Sequence, residues 1–196
     1  MNTMCRLMLR DRGKTHILLV LLCFSFVANI ILGQCLIRQR LQYQEDVHRF
    51  LSSTGASVLR IQQSTEILLG SNEDLEARQA AVTNLWFDAE KFYQLSLSAA
   101  GSLRHTGLFR TRSFLFSENE LIISAQRLRD DIHHHLESYR VGDPLTLEQK
   151  TFLSALRKGT TVFYAVLCNE DGTIRAEAHD PQTFYDEFRT FISAVS

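Results

Sequence analysis

The segment "RDDIHHHLE", residues 129–137, holds the side chains that come closest to those of a metal site. Imidazole and carboxylate groups are ligands that Zn²⁺ takes in proteins. Consecutive residues of a helix point about 100° apart, so the three adjacent histidines cannot converge on one ion. The pairs that share a helix face are Asp130 with His134 and Asp131 with His135. A pair of ligands does not complete a site, so we expect no metal and no cofactor.

The same histidines support a second hypothesis, a helix face whose charge changes with pH. Histidine is the side chain that ordinarily changes charge between about pH 5 and pH 8. His135 also falls on the apolar stripe of the predicted helix. We therefore expect His135 to be a hydrogen-bonded residue in the core or at its boundary.

The segment "LFRTRSFLFS", residues 108–117, combines aromatic side chains with arginines. Such side chains often anchor protein partners, which makes the segment a candidate partner-binding loop. The candidate residues are Phe109, Arg110, Arg112, Phe114 and Phe116. The alternative is a crossover whose phenylalanines cap the core. We place the segment at the membrane-distal or lateral end of a helical hairpin.

The spacing of reactive residues does not predict an enzyme. The sequence has no G-x-S-x-G nucleophile motif, no phosphate-binding loop and no glycine-rich dinucleotide turn. Cys168 would serve as a nucleophile only with a histidine beside it, and His179 is the nearest in sequence. We expect Cys168 to be a packing residue.

The first structural element to place is the apolar stretch from Ile17 to Ile37. As a helix, the uncharged residues would extend about 35 Å, enough to span a hydrocarbon layer of about 30 Å. A signal-peptide core is shorter, and no small-x-small cleavage site follows this one. A lipoprotein signal needs a small residue before Cys35, where Gln34 stands. We therefore predict a membrane anchor that is retained.

The basic residues before this stretch predict its orientation by the positive-inside rule. We expect a cytoplasmic tail over residues 1–15, a span over 16–37 and an extracytoplasmic domain over 38–196. The last part carries 17 Lys and Arg against 21 Asp and Glu, which does not favour nucleic-acid binding. The four cysteines do not form a disulfide framework.

The extracytoplasmic part shows helical periodicity, so we expect a mainly α bundle. Capping signals divide it, notably Thr146 with Gln149, the cluster ending at Gly159, and Asp180 with a proline after it. The predicted core stripes of the successive helices are Val47, Leu51, Thr54, Val58, Ile61, Thr65 and Leu68; Leu75, Val82, Leu85, Ala89, Phe92, Ala99 and Leu103; Leu121, Ala125, Leu128, Ile132, His135 and Tyr139; Phe152, Leu153 and Leu156; and Phe184, Phe188, Phe191 and Val195.

A small β-hairpin is predicted near the C-terminus. The stretches Thr161–Cys168 and Thr173–Ala178 are β-branched, aromatic or alternating, and the turn sequence "NEDG" separates them. The alternative is that the fourth helix continues to Asn169.

One family is similar in organisation over residues 15–158. A single span, a long helix, a second helix with a tryptophan and the helix start "DPLTLEQKTFLSAL" resemble the N-terminal helical region of YpeB-like spore-germination membrane proteins. The resemblance implies an anchored helical domain and assigns no role to any residue. Such proteins continue into PepSY repeats, which this sequence does not contain.

Together these patterns predict a non-enzymatic, membrane-anchored protein of a bacterial-type cell envelope. We expect it to act as a scaffold, assembly or accessory module, with the membrane and another envelope or membrane protein as its partners. The alternative function is a ligand- or ion-sensing module that works through a partner.

Overall fold

The structure is a computed structural model that describes residues 3–70, 74–102 and 118–195, with side chains over 18–70, 74–99 and 119–195. The chain divides into two units, Met1–Gln44 and Glu45–Ser196. Helix α1, Thr3–Leu69, contributes residues to both units. From Leu18 to Leu41 it exposes large apolar side chains. By length and composition it is able to cross a membrane.

The second unit is a helical bundle, as the sequence predicts. After the C-terminal part of α1 come helix α2, Leu75–Ser102, helix α3, Glu118–Leu136, and helix α4, Leu147–Leu167. A short 3-10 helix, Glu177–His179, precedes helix α5, Pro181–Val195.

The predicted stripes form most of the core. All seven residues of the α1 stripe are buried, and so are the four residues of the α5 stripe. The prediction that Leu75 lies in the core is wrong, because this residue stands at the first turn of α2 and is 59% exposed. Tyr139 was predicted on the third helix, which ends three residues earlier at Leu136.

Helices α1 and α2 are antiparallel. Arg60 Nε donates to Asp88 Oδ1 at 2.7 Å, and Arg78 Nη2 donates to the carbonyl of Gly70 at 2.6 Å. As residue numbers rise in one helix they fall in the other. The segment 103–117, which follows α2 in the sequence, lies outside the described residues.

Helix α4 begins as predicted and ends later than predicted. Thr146 Oγ1 accepts from the Gln149 backbone N–H at 3.2 Å, and Gln149 Oε1 accepts from the Thr146 N–H at 3.0 Å, which completes a capping box. The predicted stop at Gly159 is wrong, because the helix continues to Leu167. A Cβ at Gly159 would lie 2.9 Å from Phe191 Cδ2, so the glycine permits close approach of α5.

The first predicted hairpin strand is wrong, since residues 161–167 belong to α4. Phe163 and Leu167 continue the stripe of Leu156 at helical spacing, and burial of that stripe outweighs the β-propensity of the stretch. An isolated antiparallel bridge joins Cys168 to Ile174. Between them Gly172, at φ 81°, ends a tight turn in which its N–H donates to the Asn169 carbonyl at 2.9 Å.

Helix α5 starts as predicted and supplies the aromatic centre of the bundle. Asp180 Oδ2 accepts from the Thr183 N–H at 3.0 Å and caps the helix ahead of Pro181. Phe184 packs edge-on against Phe50 of α1, with ring centroids 5.7 Å apart. Phe188 contacts rings from α2, α4 and α5, namely Phe92, Phe163, Phe184 and Phe191.

Candidate functional site

The histidine tract His133–His135 occupies the last turn of α3. Residues two apart on a helix point to nearly opposite sides, so the first and third rings reach different neighbours. His133 stacks on Trp86 of α2 with centroids 5.3 Å apart and an interplanar angle of 16°. His135 stacks on Phe152 of α4 at 4.2 Å and 23°.

Polar contacts join His135 to the start of α4 as well. Its Nδ1 lies 3.4 Å from Glu148 Oε1, an ion pair whenever the imidazole is protonated. Its backbone carbonyl accepts from Gln149 Nε2 at 3.0 Å. Gln149 therefore caps α4 and joins that helix to the end of α3 at once. The side chain of His135 is 23% exposed, so the prediction that this residue lies at the boundary of the core is confirmed.

The structure does not bring the four candidate metal ligands together into a site. Asp130 accepts from Arg129 Nη2 at 2.8 Å, and the ring of His135 is turned toward Phe152. His134 meets His135 edge-on at 5.5 Å and is otherwise exposed. Within the described ranges, no group of three or more His, Cys, Asp or Glu residues is arranged to hold a metal ion.

Cys168 is buried at the turn that follows α4. A Cβ at Gly55 of α1 would lie 2.7 Å from its Sγ, so the glycine makes room for the thiol. Burial raises the pKa of this thiol, although a hydrogen bond with Tyr164 and the charge of Arg175 act in the opposite direction. A thiol held protonated in this way is a packing group and a poor nucleophile.

A second histidine pair, His48 and His179, lies outside every motif that we recognised in the sequence. The two rings are nearly parallel with centroids 5.7 Å apart, and His179 Nδ1 lies 3.2 Å from the Arg175 carbonyl. The residues are 131 positions apart, so local spacing gives no signal of this contact.

The candidate partner-binding residues Phe109, Arg110, Arg112, Phe114 and Phe116 lie outside the described residues. In the part of the bundle that is described, the exposed large apolar side chains are spread over several helices. Among these exposed side chains of the described bundle, Phe87 on α2 is aromatic, and it is 66% exposed. Exposed aromatic side chains are frequent anchors in protein–protein interfaces.

No protein-family model matches this chain, and neither a characterised protein nor a solved structure shows significant similarity to it. The resemblance to YpeB-like proteins therefore stays a prediction.

Proposed function

We propose that the apolar part of α1 anchors the protein in a membrane and that the bundle acts outside it as a non-enzymatic scaffold or accessory protein. The observation that supports this most is the contrast along α1. Large apolar side chains from Leu18 to Leu41 are exposed, whereas Val47 to Leu68 present a buried stripe. An apolar surface of that extent requires a lipid or protein cover.

The flanking charges support the orientation. Four basic residues precede the apolar stretch, at Arg6, Arg10, Arg12 and Lys14, and two follow it closely, at Arg38 and Arg40. The positive-inside rule then keeps the N-terminus in the cytoplasm. The bundle, with its acidic balance, lies on the other side in this proposal.

Cysteine labelling in intact cells tests the anchor and its orientation. Ser154 is exposed on α4, so a Ser154→Cys variant in a Cys35→Ser background offers one reactive outer thiol. A membrane-impermeant maleimide should label the thiol introduced at position 154 in intact cells and Cys5 only after lysis. Labelling of Cys5 first would overturn the orientation, and release of the chain by alkaline carbonate would overturn the anchor.

Photo-cross-linking tests the partner. A photoreactive amino acid in place of Phe109 or Phe87 should capture one discrete envelope protein. The same group in place of Ser154, an exposed polar position, is the matched control. Equal capture at all three positions, or none at any, would contradict a scaffold role that uses these anchors.

A further inference from the structure

Asn29 is a strongly polar side chain in the middle of the apolar stretch of α1. The residues between Lys14 and Arg38 carry no full charge, and they are centred on Phe26, three residues before Asn29. Along a helix this separation is about 4.5 Å. A hydrocarbon layer extends about 15 Å to either side of its midplane. In the membrane that we propose for this stretch, lipid chains therefore surround the amide of Asn29.

The amide of Asn29 is not satisfied by its own chain. The side chain is exposed, and it has no hydrogen-bond partner among the described residues. An asparagine side chain offers two N–H donors and one carbonyl acceptor. Hydrocarbon pairs with neither, so an amide that is left alone in a bilayer costs free energy. A polar group on another helix at the same depth removes that cost.

The residues one turn to either side of Asn29 leave room for such a helix. Ser25 and Gly33 stand four positions before and after it, so the three residues share one face of α1. A Cβ at Gly33 would meet no atom within 4 Å among the described residues, so no contact inside the chain requires this glycine. Glycine within a helix lowers helix stability. At the contact between two membrane helices, however, small residues let the backbones approach closely.

We propose that this face of α1, formed by Ser25, Asn29 and Gly33, binds the same face of a second copy of the chain within the membrane. The inference rests on the membrane anchor of the proposed function. Two copies that insert in the same direction around a two-fold axis place each residue opposite itself at one depth. Nδ2 of each Asn29 then donates to Oδ1 of the other, because an amide is complementary to itself. A second copy thus always supplies a matching polar group at the required depth.

Disulfide cross-linking of the full chain in isolated membranes tests the face. Leu36 lies seven residues after Asn29, which returns to the same side of the helix, whereas Gln34 lies on the other side. In a background in which serine replaces the three cysteines of the first unit, Leu36→Cys should form a disulfide-linked dimer on oxidation. Gln34→Cys, at nearly the same depth, should not. Equal results at both positions, or a cross-link from Leu36→Cys to another protein instead of a copy, would overturn the proposal.

Energy transfer between chains in mild detergent measures the contribution of Asn29. The dyes are attached through Ser154→Cys in the same background. Asn29→Leu should lower the association constant by about fivefold to thirtyfold, the loss expected for hydrogen bonds between membrane helices. Asn29→Gln keeps an amide and should retain most of the association, and Val27→Leu, on the opposite side of the helix, should retain all of it. An Asn29→Leu variant that associates as strongly as the parent would overturn the proposal.

Extraction with alkaline carbonate separates this inference from the proposed function. A chain that carbonate releases from membranes would overturn both, because lipid would then not surround Asn29. A chain that stays in the membrane and remains monomeric in both experiments would overturn the dimer alone and leave the anchor in place.

Discussion

At the scale of single residues, the hydroxyl groups buried on α1 differ in whether another group satisfies them. Thr65 Oγ1 donates to the Ile61 carbonyl at 2.6 Å. Thr54 is equally buried, and among the described residues its Oγ1 has no hydrogen-bond partner. A buried hydroxyl without a partner costs free energy, whereas one that bonds the preceding turn does not.

Thr54→Val should therefore raise the free energy of unfolding by about 0.5–1.5 kcal/mol, since it keeps the shape and removes the unsatisfied group. Thr65→Val is the matched change, and it should lower the free energy of unfolding or leave that free energy unchanged. Urea unfolding of the full chain in detergent measures both. A loss of stability in Thr54→Val would mean that the hydroxyl is satisfied, for instance by an internal water.

The Cys168 thiol makes the stability of the folded chain depend on pH in the alkaline range. Burial raises its pKa, and burial also raises the pKa of the neighbouring Tyr164. A raised pKa means that the stabilising protonated form persists below the unfolded-state value, about 8.5 for cysteine, and is lost as pH rises through the folded-state value. The urea midpoint should fall as pH rises above about 8.5, and Cys168→Ala should show a shallower fall. Equal slopes in the two proteins would contradict this.

At the scale of elements, Gly159 sets the distance between α4 and α5. Its Cβ position is occupied by Phe191 and Val195 from α5. Gly159→Ala should lower the free energy of unfolding by about 1–3 kcal/mol through overpacking, despite a gain in helix propensity of about 1 kcal/mol. Ser154→Ala, at an exposed position of the same helix, should change it by less than about 0.5 kcal/mol. Thermal unfolding compares the two variants. A Gly159→Ala variant that is more stable than the parent would show that α4 and α5 can move apart to accept the added methyl group at little cost.

The α1–α2 pair depends on an ion pair whose carboxylate is buried. The Asp88 side chain is 2% exposed and that of Arg60 is 41% exposed. Arg60→Met should cost about 1–3 kcal/mol, because it leaves a buried carboxylate without its cation. Arg49→Met breaks the pairs with Glu45 and Asp46, whose side chains are 70% and 28% exposed, and should cost less than about 1 kcal/mol. Equal urea midpoints for the two variants would contradict the prediction that the ion pair with the buried carboxylate contributes more to stability.

At the scale of the whole bundle, Phe188 joins α5 to two other helices, α2 and α4. It is fully buried and contacts aromatic rings on α2, α4 and α5. Phe188→Ala should cost about 3–5 kcal/mol, a large share of the about 5–15 kcal/mol that stabilises a domain. Phe87→Ala, at the exposed phenylalanine, should leave the unfolding temperature nearly unchanged. A similar loss in both would place Phe87 in an interface that the single chain does not show.

Local signals in the sequence predicted much of this bundle. The caps at Thr146 and Asp180 depend on groups three residues apart, so the residues that make them are visible in any short window. The α1 and α5 stripes also follow from helical period alone. The predicted end of α4 is wrong. In a short window, a glycine after two basic residues is typical of a helix C-terminus, whereas in the folded chain Gly159 is a point of close contact between α4 and α5.

The sequence by itself determined that the chain has an apolar N-terminal helix and a mainly helical second part, because hydrophobic period and capping residues act over a few positions. Only the tertiary structure decided where the rings of the histidine tract pack. Its composition is that of a metal site, yet its outer rings cover Trp86 and Phe152, which are 47 and 17 residues away along the chain. Contacts at that separation depend on how the helices pack.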